Sequence, residues 1–252
     1  MSNQPTPTIS VITATYNAAA VLPRLIESLA AQTDQDFEWV VADGGSTDGT
    51  LEILEKAKSQ LKTVIIDSRP DFGIYDAMNR AVKISTGEYY LVAGADDCFE
   101  DEAVRLYKKF ILKSRADLVT SVIQSNGQLK GVNKKKWTWL YGPWAYISQH
   151  AIGVAIKKDL HTHLGYYSRR LPIAADYLFL LKALKAGAVV TEAKFVSGAY
   201  ESKTGVSGQD VLGALTESFR ANILAGGSPA LQIIIHFLRI IKNARIIAAQ
   251  SK

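Results

Sequence analysis

Apolar residues fall along this chain in two alternating rhythms, short runs and repeats at helical spacing, and the alternation predicts strands and helices taken in turn. Residues 9–14 read as a buried strand, after which Val21, Leu22, Leu25, Ile26 and Leu29 share one helical face. Pro23 sits in that helix's first turn, where a missing N–H costs nothing. The beat continues through a strand at 37–42, a helix at 51–61, a strand at 63–67, a helix at 76–84, a strand at 88–93 and a helix at 102–113. Alternation of this kind builds an α/β fold: a Rossmann-type, mostly parallel sheet with helices on both faces, whose ligands gather beyond the carboxyl ends of the strands.

After Asp117 the pattern changes. Two strand-like stretches, 118–124 and 128–132, flank Ser125-Asn126-Gly127, and Asn-Gly is a strong hairpin signal. Helical spacing returns at 175–186, a strand follows at 188–200, and helices at 211–224 and 231–249 close the chain. The expected organisation is one continuous catalytic domain with a ligand-binding half at 1–116, a mixed half at 117–210 and C-terminal helices at 211–252.

Composition narrows the class. At 252 residues and 48% hydrophobic content the chain can bury a large core. Its one cysteine, Cys98, excludes an internal disulfide framework and, with no apolar leader evident, favours a cytoplasmic home. A net charge of +5 favours anionic partners, among which nucleic acid, nucleotide and acidic lipid all qualify.

The polar groups cluster at strand ends. Gly94-Ala95-Asp96-Asp97 places two carboxylates where a strand stops, which suits Mg²⁺ or Mn²⁺ held against a phosphorylated ligand, although such a pair also serves as an ordinary turn or helix cap. After the first strand, Thr13-Ala14-Thr15-Tyr16-Asn17 offers a ring for stacking on a base, or for packing at a corner. In Asp43-Gly44-Gly45-Ser46-Thr47-Asp48-Gly49-Thr50 the glycines admit close approach of a ligand, and Asp43 is a candidate acceptor for a base or ribose. Neither G-x-G-x-x-G nor a P-loop occurs, which excludes the common dinucleotide and phosphate-loop signatures. Arg69 suits a base or phosphate, while Asp76 and Asn79 stand near a helix start, where polar residues are commonplace.

The order of these blocks, together with Asp71-Phe72-Gly73-Ile74-Tyr75-Asp76-Ala77-Met78-Asn79, resembles glycosyltransferase family 2, inverting enzymes of GT-A fold that use nucleotide-sugars. The resemblance implies a donor site built from Thr13, Thr15, Tyr16 and Asp43 around the nucleoside, Arg69 and Asp71 near the base, and Asp76 and Asn79 beside the donor. It makes Asp97 the ligand of a divalent cation and Asp96 its assistant at ribose or metal. Two positions depart from the family pattern: Gly44 replaces a second acid, and Ala95 replaces the first acid of a D-x-D.

The same resemblance makes Asp176, within Ile173-Ala174-Ala175-Asp176-Tyr177, the general base, a role to set beside that of an acid stabilising a helix N-terminus. Gln149, His150 and Lys203 are candidates for the diphosphate or acceptor; Tyr166, Tyr167, Arg169 and Arg170 are candidates for the acceptor pocket. From Ser218 onward there are five basic residues and no acid, amid many isoleucines. That segment suits an anionic membrane surface, a homodimer contact or packing on its own domain. Lys130, Lys134, Lys135 and Lys136 with Trp137, Trp139 and Trp144 form a second basic, aromatic patch. The expectation is a cytoplasmic transferase, peripheral to the inner face of the membrane, moving a sugar from a UDP-sugar to a glycan or lipid-linked acceptor in bacterial polysaccharide synthesis. A sugar-phosphate nucleotidyltransferase would need a basic glycine-rich loop after the first strand, and a nucleic-acid-binding module would leave the acidic strand ends unexplained.

Overall fold

A computed structural model describes residues 8–131, 147, 150–200 and 206–250. Its first half alternates as expected: β1 (Ile9–Thr15), α1 (Leu22–Ala30), β2 (Glu38–Asp43), α2 (Thr50–Ala57), β3 (Val64–Ser68), α3 (Ile74–Ile84) and β4 (Tyr89–Val92). These strands lie in the order β3-β2-β1-β4, all parallel. The chain therefore leaves β1 in one direction and returns on its other side, opening a crevice at the carboxyl ends of β1 and β4.

Residue parity assigns the core. Ile9, Val11, Trp39, Val41, Tyr89 and Leu91 point to one face of the sheet, where they meet Leu22, Leu25 and Leu29 of α1 and Leu54 of α2. Ile12, Val40, Ala42, Tyr90 and Val92 point to the other, beneath Ala77, Met78 and Ala81 of α3. Both faces are thus buried, which is why these strands read as runs rather than as alternation.

The second half is mixed. β5 (Cys98–Phe99) and α4 (Ala103–Ser114) precede the hairpin of β6 (Leu118–Ser125) and β7 (Gln128–Lys130). Asn126 and Gly127 both take positive φ, 49° and 74°, the conformation that a two-residue hairpin requires. There follow β8 (Val154–Lys157), α5 (Leu160–Leu164), α6 (Ala175–Lys185), β9 (Val190–Tyr200), α7 (Val206–Gln209), α8 (Val211–Leu224) and α9 (Pro229–Gln250). β8 joins the sheet antiparallel to β4 and β6, β9 runs parallel to β6, and β5 pairs antiparallel with the end of β9. The short pairing of Cys98 with Ala199 draws the segment after β4 to the far end of β9. Three short elements, β5, α5 and α7, have no periodicity to announce them.

Candidate active site

Parallel register brings Thr15 beside Asp43, and Asp43 beside Ser68. The Asp43 carboxylate accepts from Thr15 Oγ1 at 3.0 Å, from Ser68 Oγ and the Gly45 and Ser46 N–H groups at 2.9 Å, and from Ser46 Oγ. Burial pulls its pKa upward, but the hydrogen bonds from Ser46, Ser68 and Thr15 prevail and hold it below the usual carboxylate range. A carboxylate has about four lone-pair positions. All are spent on the chain itself, and no part of Asp43 is exposed.

Asp43 staples three strand ends and its own loop. Thr15 is part of that staple, and Thr13 is wholly buried with its hydroxyl accepting from Trp39 Nε1 at 3.0 Å. Asn79 is likewise committed: its amide donates to the Tyr167 carbonyl and accepts the Tyr167 N–H, each at 2.9 Å. It clamps the first half of the chain to the second.

Other residues do face the crevice. Tyr16 is 68% exposed and its ring borders Gly44. Asp71 Oδ2 lies where a side chain at position 44 would begin, since a Cβ on Gly44 would stand 2.7 Å from it. A side chain at 44 would have to push the Asp71 carboxylate aside, and that carboxylate now fills the space beside position 44. Asp71 is held by the Gly73 N–H at 2.9 Å and by the Arg80 guanidinium at 3.6 Å. Arg80, which the sequence motifs did not single out, is buried and also donates to the Asp43 carbonyl at 3.0 Å and to Asp67 at 3.2 Å. Arg69 is exposed and 3.5 Å from Asp67. Asp76 pairs with Arg169 at 3.3 Å, and that guanidinium covers the exposed ring of Phe72.

At the end of β4 the two acidic side chains converge over Gly94. A Cβ there would lie 2.9 Å from Asp96 Oδ1 and 3.3 Å from Asp97 Oδ2. Asp97 is buried, accepts the Gly94 N–H at 2.7 Å, and has His150 Nδ1 3.8 Å away. Burial, reinforced by the charge of Asp96, pushes Asp97 up to about 8. Burial also lowers His150 to about 4, so a neutral imidazole faces the pair, stacked 3.9 Å from the Tyr200 ring. Among the described residues, no group of three His, Cys, Asp or Glu side chains could by itself hold a metal ion. Two converging carboxylates still fit a hard cation whose remaining ligands are phosphate oxygens and water.

Asp176 opens α6 and accepts from Tyr75 Oη and from the Tyr177 N–H, both at 2.7 Å. Tyr75 belongs to α3, adjacent to Asp76, so the motif-bearing segments of the chain's two halves meet at this hydrogen bond. Burial raises the Asp176 pKa; Tyr75 and the local N–H groups oppose that shift, and Glu217 adds to it. Glu217, on α8, was invisible to motif reasoning. Its carboxylate, 8% exposed, accepts the N–H groups of Ile173 and Ala174 at 2.8 and 2.9 Å and so holds the turn that presents Asp176. Tyr167 is buried with its hydroxyl 2.6 Å from that of Tyr90, while Tyr166 is exposed. Arg170 is exposed. Gln149, Lys203, Lys134 to Lys136, Trp137, Trp139 and Trp144 lie outside the described residues.

Comparison with known proteins gives this crevice a lineage. The model of a family described as Glycosyl transferase family 2 matches residues 10–170. A PGL/p-HBAD biosynthesis glycosyltransferase of Mycobacterium bovis is 33% identical over 190 residues, 73% of each chain. A poly(ribitol-phosphate) beta-glucosyltransferase of Bacillus spizizenii is 31% identical over 129 residues, which are 50% of this chain and 19% of that protein. Among solved structures, S. aureus TarS 1-349 in complex with UDP-GlcNAc superposes with a TM-score of 0.70 at 22% identity, covering 93% of this chain and 73% of the other. A mannosyltransferase of Pyrobaculum calidifontis in complex with GDP-Man and Mn²⁺ does so with a TM-score of 0.66 at 18% identity, covering 95% and 76%. The fold is GT-A, and the chain belongs to glycosyltransferase family 2.

Proposed function

We propose that this glycosyltransferase transfers a sugar with inversion from a UDP-sugar to a hydroxyl of a glycan or lipid-linked acceptor in surface-polysaccharide synthesis. The observation that carries the reading is the meeting of a buried, base-like Asp176 with the donor-side helix through Tyr75. A carboxylate at that point can take the proton of an acceptor hydroxyl as the oxygen attacks the anomeric carbon, with the nucleoside diphosphate leaving from the opposite side. Its raised pKa makes it a stronger base than an exposed aspartate.

Tyr16, Gly44 and Asp71 form the proposed base pocket, with the Tyr16 ring as the stacking surface. Asp71 presents an acceptor, which suits the N3–H of uracil and disfavours cytosine, whose N3 bears a lone pair. Asp96 and Asp97 would hold Mn²⁺ or Mg²⁺, whose charge offsets that of the departing diphosphate. Asp43, Arg80 and Asn79 contribute by fixing the loops, not by contact.

Binding tests the donor half directly. Isothermal titration with UDP, GDP and CDP, with and without Mn²⁺, should give metal-dependent UDP binding that Asp97→Asn abolishes. Equal affinity for all three nucleotides, or binding indifferent to metal, would contradict the reading.

A further inference from the structure

The last helix is amphipathic in the wrong sense for a soluble protein. α9 buries Gln232 and Ile235, while Ile233, Ile234, Phe237, Leu238, Ile241 and Ile246 are between 51 and 65% exposed. At the helical pitch the first five of these share one arc of about 140°, on the side turned away from the body of the protein. A contiguous apolar stripe on the outer face of a 22-residue helix needs a covering.

Charge selects the covering. Lys242 lies at the edge of the stripe and Arg245 in line with it one turn past Ile241, both are exposed, and from Ser218 to the end of the sequence there is no acidic residue. Two copies of α9 packed face to face would bring these cations together with no carboxylate on the helix to pair them. Anionic headgroups would pair them, while the isoleucines and Phe237 enter the acyl boundary. Among the described residues no helix is long and apolar enough to cross a membrane. The geometry points to the outer face of α9 as a docking surface for an anionic lipid bilayer, on which the helix lies flat. α8, which carries Glu217 and so the turn before Asp176, packs against α9. Docking would therefore bring the acceptor side of the crevice close to lipid.

Flotation of the full chain with phosphatidylcholine vesicles, with or without phosphatidylglycerol, tests the surface. Wild type should float with the anionic vesicles and remain behind with the neutral ones. Lys242→Gln with Arg245→Gln should weaken partitioning by about 25-fold, some fivefold for each charge. Phe237→Ser with Ile241→Ser should weaken it at least ~10-fold while leaving the thermal unfolding midpoint in place. Light scattering in parallel separates the competing occupant. The inference is overturned by wild type that ignores anionic vesicles, by equal binding to both vesicle types, by variants that bind as wild type does, or by a dimer that Phe237→Ser with Ile241→Ser converts to monomer.

Discussion

Replacing Asp71 by Asn isolates the proposed reading of the base. The amide keeps an oxygen for the Gly73 N–H, 2.9 Å from the present carboxylate, so the loop is retained, but it puts an NH₂ in place of the acceptor beside Gly44. A hydrogen bond to a charged acceptor contributes about 1.5–3 kcal/mol. Its loss should weaken UDP binding roughly 10- to 150-fold. CDP should lose nothing or gain, because an NH₂ can donate to cytosine N3, so the ratio of UDP to CDP affinity falls even where absolute affinities drift. The same geometry predicts the behaviour of position 44. Gly44→Asp alone would bring a Cβ to 2.7 Å from Asp71 Oδ2, force that carboxylate aside and should weaken UDP binding. Gly44→Asp combined with Asp71→Gly relocates the carboxylate and should restore much of it. Titration calorimetry with UDP and CDP in Mn²⁺ reads all four proteins. An Asp71→Asn variant with the wild-type UDP/CDP ratio, or a Gly44→Asp variant that binds UDP normally, would refute the reasoning.

Other outcomes follow from the same contacts. Asp43→Ala should destabilise the unliganded protein, since the Gly45 and Ser46 N–H groups lose their acceptor at about 1–3 kcal/mol each; urea unfolding without nucleotide measures it, and an unchanged midpoint would return Asp43 to the role of a ligand contact. The native pKa of Asp43 lies below its unfolded value. Its contribution is therefore complete above the ordinary carboxylate pKa and lost as pH falls through the lower native one, a dependence the Ala variant should lack. Glu217→Gln keeps an oxygen for the Ile173 and Ala174 N–H groups but removes a negative charge near Asp176. The acid limb of kcat/KM should then move to lower pH with KM for the donor unchanged, whereas Glu217→Ala should lower kcat by ~10-fold or more through loss of the clamp. Asn79→Ala should cost about 2–4 kcal/mol in unfolding free energy by orphaning both Tyr167 backbone groups, with a neutral result excluding the clamp.

The sheet was legible because parity is a local property. Val11 and Ile12, or Val40 and Val41, divide between two faces wherever a strand is extended, and no distant partner has to be known. The Asn126-Gly127 turn was legible for the same reason. Site roles were harder. Thr13, Thr15 and Asp43 carry the polar atoms expected of a binding site, but a polar atom on a strand can as well be spent on a neighbouring strand, and only register decides; Asn79, on α3, spends its amide on the Tyr167 backbone, which no local pattern announces. Tyr75 and Asp176 are 101 residues apart, and Glu217 lies a further helix beyond, so no spacing rule joins them. Gly44 was read as a missing acid; the space it vacates is filled by Asp71 from a different loop. The convergence of Asp96 and Asp97 was the part of the site most nearly written in the sequence, because both lie in one turn after one strand.

Asp176→Asn is the direct test of the central claim, with donor affinity measured by calorimetry and sugar transfer to membrane extracts measured with a radiolabelled UDP-sugar. Donor affinity should stay within a factor of about two of wild type while transfer falls at least ~100-fold, the range expected for loss of a general base. Transfer at the wild-type rate with donor binding intact would contradict that claim, and would remove Asp176 from the chemistry.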